Sequence, residues 1–83
     1  MKILYFAWLR SRTGMAEEDV VLPAHIRTVG DLLAWLQDRS PGHAEALRDL
    51  AVVRVAVNQE FARADHPVQN GDEVALFPPV TGG

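Results

Sequence analysis

The chain of 83 residues contains no cysteine, and this absence excludes several kinds of chemistry at once. No disulfide bond can form, and the chain has no thiol on which a thioester or a persulfide could be built. A sequence without cysteine is typical of a protein that works in a reducing compartment, so we expect a cytoplasmic location.

The sequence also lacks an excess of positive charge and any long apolar run. Eight lysines and arginines stand against eleven acidic residues, and the arginines are scattered, so no nucleic-acid partner is expected. No stretch approaches membrane-spanning length, which predicts no membrane partner. The apolar opening, residues 1–9, is cut short by Arg10 and Arg12 without a small-residue cleavage site, so it predicts a strand and not a signal peptide.

The residue types that hold metals or perform catalysis do not cluster in the sequence. His25, His43 and His66 lie far apart with no cysteine nearby, so we expect no metal site and interpret them as turn or surface residues. The acidic run 17–19 is interpreted as a solvated surface, and no serine has the glycines of a nucleophile elbow. The chain alone is therefore expected to have no catalytic side chains and to serve as a substrate or subunit.

The apolar pattern predicts one small α+β domain. The main helix is indicated by Val29, Leu32, Leu33 and Leu36 at helical spacing, with Thr28 as its N-cap and Asp31 in a capping-box position. The other predicted elements, in chain order, are a strand at 2–9, a turn at 11–16, a strand at 19–22, a short helical stretch at 43–50, a strand at 50–57, a short strand around Phe61 and a strand at 73–77.

This order of elements resembles the β-grasp (ubiquitin-like) arrangement, a mixed sheet of about four to five strands packed on one main helix. That arrangement places the first and last strands side by side and parallel at the centre of the sheet. We therefore expect a β-grasp domain at residues 1–78 and an extended tail at residues 79–83.

Alternation along the predicted strands leaves apolar residues on the side of the sheet away from the helix. These residues are Leu4, Phe6, Trp8, Phe61 and Phe77. Each aromatic side chain can bury about 150–250 Å², so together they exceed what a monomer usually leaves bare. We interpret this face as a protein-docking surface; the alternative is that residues 58–70 cover it.

The chain ends in Pro78-Pro79-Val80-Thr81-Gly82-Gly83. The prolines favour an extended tail, which could reach about 16 Å from Pro79 at the usual rise per residue. Two glycines without Cβ could pass through a narrow channel and present the carboxylate of Gly83 to chemistry. The alternative is a terminus that simply frays.

The sequence resembles the small sulfur-carrier subunits of molybdopterin synthase (the MoaD family) over nearly its whole length. The stretches that carry this resemblance are Phe6-Ala7 with Arg10, residues 56–59 (Ala-Val-Asn-Gln), and residues 66–83, which include Gly-Asp-Glu-Val and Phe-Pro-Pro-Val-Thr-Gly-Gly.

The resemblance implies a reaction cycle in which this chain binds no cofactor. An E1-like activating enzyme would consume ATP to adenylate Gly83, and a sulfur donor protein would convert the adenylate to a thiocarboxylate. The large synthase subunit would receive the tail (Pro78 to Gly82) in its active site. There the sulfur would pass to cyclic pyranopterin monophosphate to form the molybdopterin dithiolene, within a heterotetramer. Phe6 and Phe77 match family positions at the partner contact. Phe61 is included with them, although an aliphatic residue is common at its position in the family.

Three other functions remain open from the residues alone. The chain could carry sulfur for thiamine, cysteine or tRNA thiolation, because the chemistry of the tail would be the same. It could be a ubiquitin-like interaction domain without carrier chemistry, or a modifier that conjugates Gly83 to lysines.

Overall fold

The computed structural model describes residues 1–79, so Val80, Thr81, Gly82 and Gly83 lie outside the described residues. A five-stranded sheet forms in the order β2-β1-β5-β3-β4. The elements are β1 (Lys2–Tyr5), α1 (Ala7–Thr13), β2 (Glu17–Asp19), α2 (Val29–Gln37), α3 (Pro41–Ala46), a 3-10 turn (Leu50–Val52), β3 (Arg54–Val57), β4 (Glu60–Ala62) and β5 (Glu73–Phe77).

The first and last strands lie side by side in the middle of the sheet. β1 and β5 run parallel, with Ile3 opposite Val74 and Tyr5 opposite Leu76, whereas the other strand pairs are antiparallel. This mixed sheet with a main helix is the β-grasp arrangement, so the predicted fold class and the central parallel pair are confirmed.

Helix α2 supplies one side of the core. Val29, Leu32 and Leu36 are almost completely buried, together with Ile3 and Leu76 from the central strands. Complete burial of an aliphatic side chain contributes about 1.5–3 kcal/mol, so this stripe explains why the segment is helical in the fold.

Helix α2 begins with the predicted capping box. The Oγ1 atom of Thr28 accepts a hydrogen bond from the amide of Asp31 at 3.1 Å, and Oδ2 of Asp31 accepts the amide of Thr28 at 3.2 Å. Oδ2 also accepts the amide of Arg27 at 3.1 Å. This last bond and the two contacts with Thr28 hold the pKa of Asp31 below its ordinary value.

The predicted first strand, residues 2–9, is wrong beyond Tyr5. The backbone turns at Phe6 and Ala7, where Ala7 has φ 53°, and α1 follows until Gly14 caps it with φ 79°. Residues Leu9 and Thr13, spaced i and i+4, are the buried side of this helix. A short apolar run fits a strand and a buried helix equally well, which is why the helix was missed.

Other predicted boundaries shift by a few residues. The second strand lies at Glu17–Asp19 and not at 19–22, and the strand predicted at 50–57 begins only at Arg54 because residues 50–52 form the 3-10 turn. Helix α3 runs from Pro41 to Ala46, whereas the predicted helical stretch was at 43–50. Proline is favoured at the first helical position because that amide needs no partner within the helix.

The side chain of Asn58 adds to the backbone pairing between the β3–β4 hairpin and the start of β5. Asn58 and Gln59 form the predicted turn and have φ values of 50° and 71°. Oδ1 of Asn58 accepts the amide of Glu73 at 3.0 Å, and its Nδ2 donates to Asp72 at 3.0 Å. Two of the stretches that carry the family resemblance therefore contact each other and stabilise the sheet.

Replacing Thr28 by alanine removes one half of the capping box. We expect Thr28→Ala to lower the free energy of unfolding by about 1 kcal/mol, because the amide of Asp31 loses its acceptor. Urea denaturation monitored by circular dichroism measures the change. Ser11→Ala on the exposed side of α1 is the control, and equal midpoints for the two variants would contradict the assigned role of the cap.

Candidate docking face and tail exit

One row of side chains crosses the sheet on the side away from α2. The strand register places Leu4 opposite Ala75, Ala75 opposite Ala56, and Ala56 opposite Phe61. Paired residues point to the same side of a sheet, so the row is apolar from β1 to β4. The two central alanines keep the middle of this face shallow, and a larger side chain stands at its β4 end.

Three phenylalanines surround the end of this face at which β5 terminates. Phe61 is 81% exposed and Phe6 is 49% exposed, whereas Phe77 is half-buried. The rings of Phe61 and Phe77 lie 5.8 Å apart between centroids. The amide of Phe6 donates to the carbonyl of Leu76 at 3.1 Å, so Phe6 follows β1 at the edge where Phe77 ends β5. We call Leu4, Phe6, Phe61, Ala75 and Phe77 the outer face.

The exposure of Phe6 and Phe61 bears on one of the two interpretations of this surface, that residues 58–70 cover it. If residues 58–70 covered the aromatic residues, both rings would be buried, and neither is. Trp8, in contrast, was wrongly assigned to this face. It belongs to α1 and packs partly buried against the core, and the guanidinium of Arg12 lies 4.6 Å from its ring centroid.

The chain leaves the sheet at the same edge. Pro78 and Pro79 follow β5 directly and are half-buried. The predicted roles of Val80, Thr81, Gly82 and the Gly83 carboxylate concern residues beyond the described part, so they stay predictions. What the structure shows is where Pro78 and Pro79 leave the sheet: at the end of the central strand β5, beside Phe6 and Phe77.

Neither a cluster of metal ligands nor a membrane-spanning helix occurs in residues 1–79. Residues 1–79 contain no group of three or more histidine, cysteine, aspartate or glutamate side chains able to hold a metal ion. Among the same residues, no helix has the length and apolar character needed to cross a membrane.

A polar network that the sequence analysis missed lies among β1, β2 and α3. Oε2 of Glu18 accepts the hydroxyl of Tyr5 at 2.7 Å and lies 2.6 Å from Nε2 of His43. Oε1 of Glu18 accepts Nε of Arg39 at 3.1 Å, and Oγ of Ser40 lies 2.7 Å from Nδ1 of His43. His43 is only 3% exposed, so its interpretation as a surface residue is wrong, and so is that of Glu18 as fully solvated.

This network stabilises the fold and has no visible catalytic use. The ring of His43 packs edge-on against Tyr5, with 5.7 Å between the centroids. Oγ of Ser40 also accepts the amide of His43 at 3.1 Å, so it caps α3. The side chains fasten two strands and two helix ends together. The only hint in the sequence was a histidine three residues after an N-cap serine.

The ionisation of the network follows from its contacts. Burial raises the pKa of Tyr5 far above its ordinary value, and the hydrogen bond to Glu18 and the negative charge of Glu18 raise it further. Partial burial by itself raises the pKa of Glu18. The hydrogen bonds from Tyr5 and His43 and the charges of His43 and Arg39 outweigh it, so the pKa of Glu18 is lowered.

Because the pKa of Glu18 is lowered in the folded state, the free energy of unfolding depends on pH in the acidic range. The stabilisation is present above the ordinary glutamate value of 4.5 and is lost as the pH falls through the lower pKa of the folded state. We expect Glu18→Gln to lower the free energy of unfolding at pH 7 by about 2 kcal/mol, because buried donors lose a charged acceptor. We also expect it to flatten the loss of stability below pH 4.5.

Urea denaturation at a series of pH values measures both effects. Glu17→Gln is the matched control, because Glu17 is the neighbouring carboxylate and its side chain is 56% exposed. An acid dependence that is the same in Glu18→Gln and in the unchanged protein would contradict the assignment.

Comparison with known sequences shows the family of this chain. The model of the ThiS family matches residues 3–83. The molybdopterin synthase sulfur carrier subunit of Escherichia coli is 42% identical over 83 residues, covering 100% of this chain and 99% of the relative. The human protein of the same name is 31% identical, covering 100% of this chain and 93% of the relative.

The solved structures show the same fold. Small archaeal modifier protein 1 of Haloferax volcanii superposes with a TM-score of 0.75 at 31% identity, covering 96% of this chain and 97% of that one. The fold and the outer face define a small β-grasp domain whose last strand lies at the sheet centre. The chain belongs to the ThiS family, and the sulfur carrier subunits of Escherichia coli and of human match it over its whole length.

Proposed function

We propose that this chain is a sulfur carrier, the small subunit of a molybdopterin synthase. The observation that carries the proposal is the full-length similarity to subunits with that name, at 42% identity, in a chain that also ends in two glycines. The position of the described tail exit beside the outer face supports it, because a partner that receives the tail then also contacts the phenylalanines.

The chemistry begins at the carboxylate of Gly83, which is a poor electrophile until one oxygen becomes a good leaving group. In the proposed cycle the activating enzyme joins that oxygen to the α-phosphate of ATP and releases pyrophosphate. The terminal sulfur of a persulfide on a donor protein then attacks the carboxyl carbon, and AMP leaves. A second thiol then reduces the resulting acyl disulfide, which breaks the bond to the donor and releases the thiocarboxylate. The chain contains no cysteine, so the sulfur has to come from another protein.

The large subunit would receive the tail and hold the carrier by its outer face. The sulfur of the thiocarboxylate would pass to cyclic pyranopterin monophosphate, and two such transfers complete one dithiolene. The residues proposed for docking are Phe6, Phe61 and Phe77, and those proposed for the channel are Pro78, Pro79, Val80, Thr81 and Gly82. Binding surfaces of this kind draw most of their affinity from a few buried aromatic residues.

Deleting Gly83 tests the carrier chemistry. After incubation with ATP, the activating enzyme and a sulfur donor, we expect the unchanged protein to gain the mass difference between one sulfur and one oxygen. The shortened chain gains nothing, because its new carboxylate is one residue too far from the activating centre. Intact-mass spectrometry makes the measurement, and circular dichroism controls for folding. Equal sulfur loading of both chains would contradict the proposal.

Replacing Phe61 by aspartate tests the docking face. We expect Phe61→Asp to weaken binding to the large subunit by at least about tenfold, because a ring that the proposed complex would bury is replaced by a charge. Folding should be unaffected, since the side chain is 81% exposed. Isothermal titration calorimetry measures the affinity. Val21→Asp is the control, at an 83% exposed residue outside the outer face, and a similar affinity for both variants would place the docking face elsewhere.

A second candidate function is favoured by the similarity to small archaeal modifier protein 1. A protein modifier would join Gly83 to lysine amines, whereas a carrier accumulates a free thiocarboxylate. Carriers for thiamine, cysteine or tRNA thiolation share the thiocarboxylate and differ only in the protein that accepts it. Reconstitution with each large partner distinguishes these pathways.

A further inference from the structure

A groove of about 680 Å³ at the β4 end of the sheet is lined by residues of α2, β3 and β4 and by Phe77 at the end of β5, so it is bounded from both sides of the sheet. Its apolar wall includes Val29 and Leu33 from α2, Val53 before β3, and Phe61 and Phe77 from the outer face. The small side chains of Ala62 and Ala64 leave the groove open on the β4 side. A cavity of this size and lining is sufficient to hold several side chains of a partner.

The charges at this groove are of one sign. Arg54 and Arg63 are the only charged residues that line it within the described part of the chain, although the protein as a whole has a formal net charge of −3. Arg54 is opposite Phe77 in the sheet, and its NH1 atom donates to the carbonyl of Ala51 at 3.1 Å, which fixes the side chain at the rim. An apolar floor with a cationic rim is complementary to an apolar segment that carries a carboxylate.

The position of the groove indicates which partner would fill it. It shares Phe61 and Phe77 with the outer face, and Phe77 directly precedes the two prolines of the tail exit. A protein that receives the tail therefore lies over the mouth of the groove. The sheet order also leaves the outer edge of β4 without a neighbouring strand in residues 1–79, so backbone groups are available beside the groove.

We propose that the groove between α2 and β4 binds an apolar segment of the large subunit, and that a carboxylate on this segment pairs with Arg54 or Arg63. This inference rests on the proposed function, because it takes the large subunit as the partner. The large subunit would then contact this chain at two places. The outer face would supply apolar contact, and the groove would add ion pairs that favour a partner of the right charge and an apolar cleft that fixes its position.

Charge reversal at the rim is the first arm of the test. Arg63→Glu and Arg54→Glu are each titrated with the purified large subunit by calorimetry at low and high salt. We expect each dissociation constant to rise by at least about tenfold, with a smaller rise at high salt. Arg48→Glu is the matched control: it makes the same change of charge at a side chain 73% exposed that does not line the groove.

Filling the groove is the second arm. Ala64→Trp places a large ring at an exposed position that lines the groove, and Ala44→Trp places the same ring on the exposed side of α3. We expect only Ala64→Trp to weaken binding by about tenfold or more. Thermal unfolding of each variant verifies that the domain remains folded, and Arg63→Glu tests the rim without touching the hydrogen bond made by Arg54.

The outcomes separate this inference from the proposed function. Affinities for Arg54→Glu and Arg63→Glu equal to that of Arg48→Glu overturn the groove contact, as does normal binding by Ala64→Trp. The groove contact is also overturned if the chain alone sediments as a dimer and Ala64→Trp dissociates that dimer. In that case a second copy of the chain fills the groove. In each case sulfur loading of Gly83, read by intact mass, still reports on the proposed function independently.

Discussion

The parallel pairing of β1 with β5 is the constraint on which the rest of this molecule depends. Because the last strand lies in the centre of the sheet, Pro78 and Pro79 follow from the middle of the sheet and not from an edge strand. Parallel strands end at the same edge, so Phe6 and Phe77 come together where the tail departs. One topological choice thus places the tail exit, the aromatic residues and the neighbouring groove at one end of the fold.

Two side chains, Asn58 and Glu18, stabilise this arrangement by hydrogen bonds at different parts of the sheet. Asn58 ties the β3–β4 hairpin to the first residues of β5, and Glu18 ties β1 and β2 to the ends of α2 and α3. Neither contact involves a residue of the outer face, whose five side chains are all apolar. The domain therefore stabilises itself away from its candidate docking surface, and changes to that surface need not disturb the fold.

The sequence predicted an element correctly where a periodic apolar pattern was long enough, or where cap and turn residues marked its ends. The stripe of α2 with its Thr28 cap, the Asn58–Gln59 turn and the last strand were all predicted correctly. Helix α1 was missed because an apolar run of a few residues has no resolvable period. The Glu18–His43 contact joins residues 25 positions apart, and no local pattern encodes such a partner. Phe6 and Phe61 were correctly placed on the exposed side of the sheet, because alternation along a strand predicts which side each residue faces. Trp8 was placed there wrongly, because the predicted strand extended to residue 9 whereas Trp8 belongs to α1.

The stabilising polar contacts lie away from the exposed aromatic residues, which fits a protein whose proposed reactive group is its C-terminal carboxylate. A carrier has to be held by successive partners and released from each, so its contact surface cannot be buried by the rest of the chain. An 81% exposed phenylalanine beside a half-buried one gives such a surface a large contact area with little rearrangement on binding. The rest of the domain can then be rigid, because the proposed chemistry lies beyond residue 79 and needs no catalytic side chain from the β-grasp core.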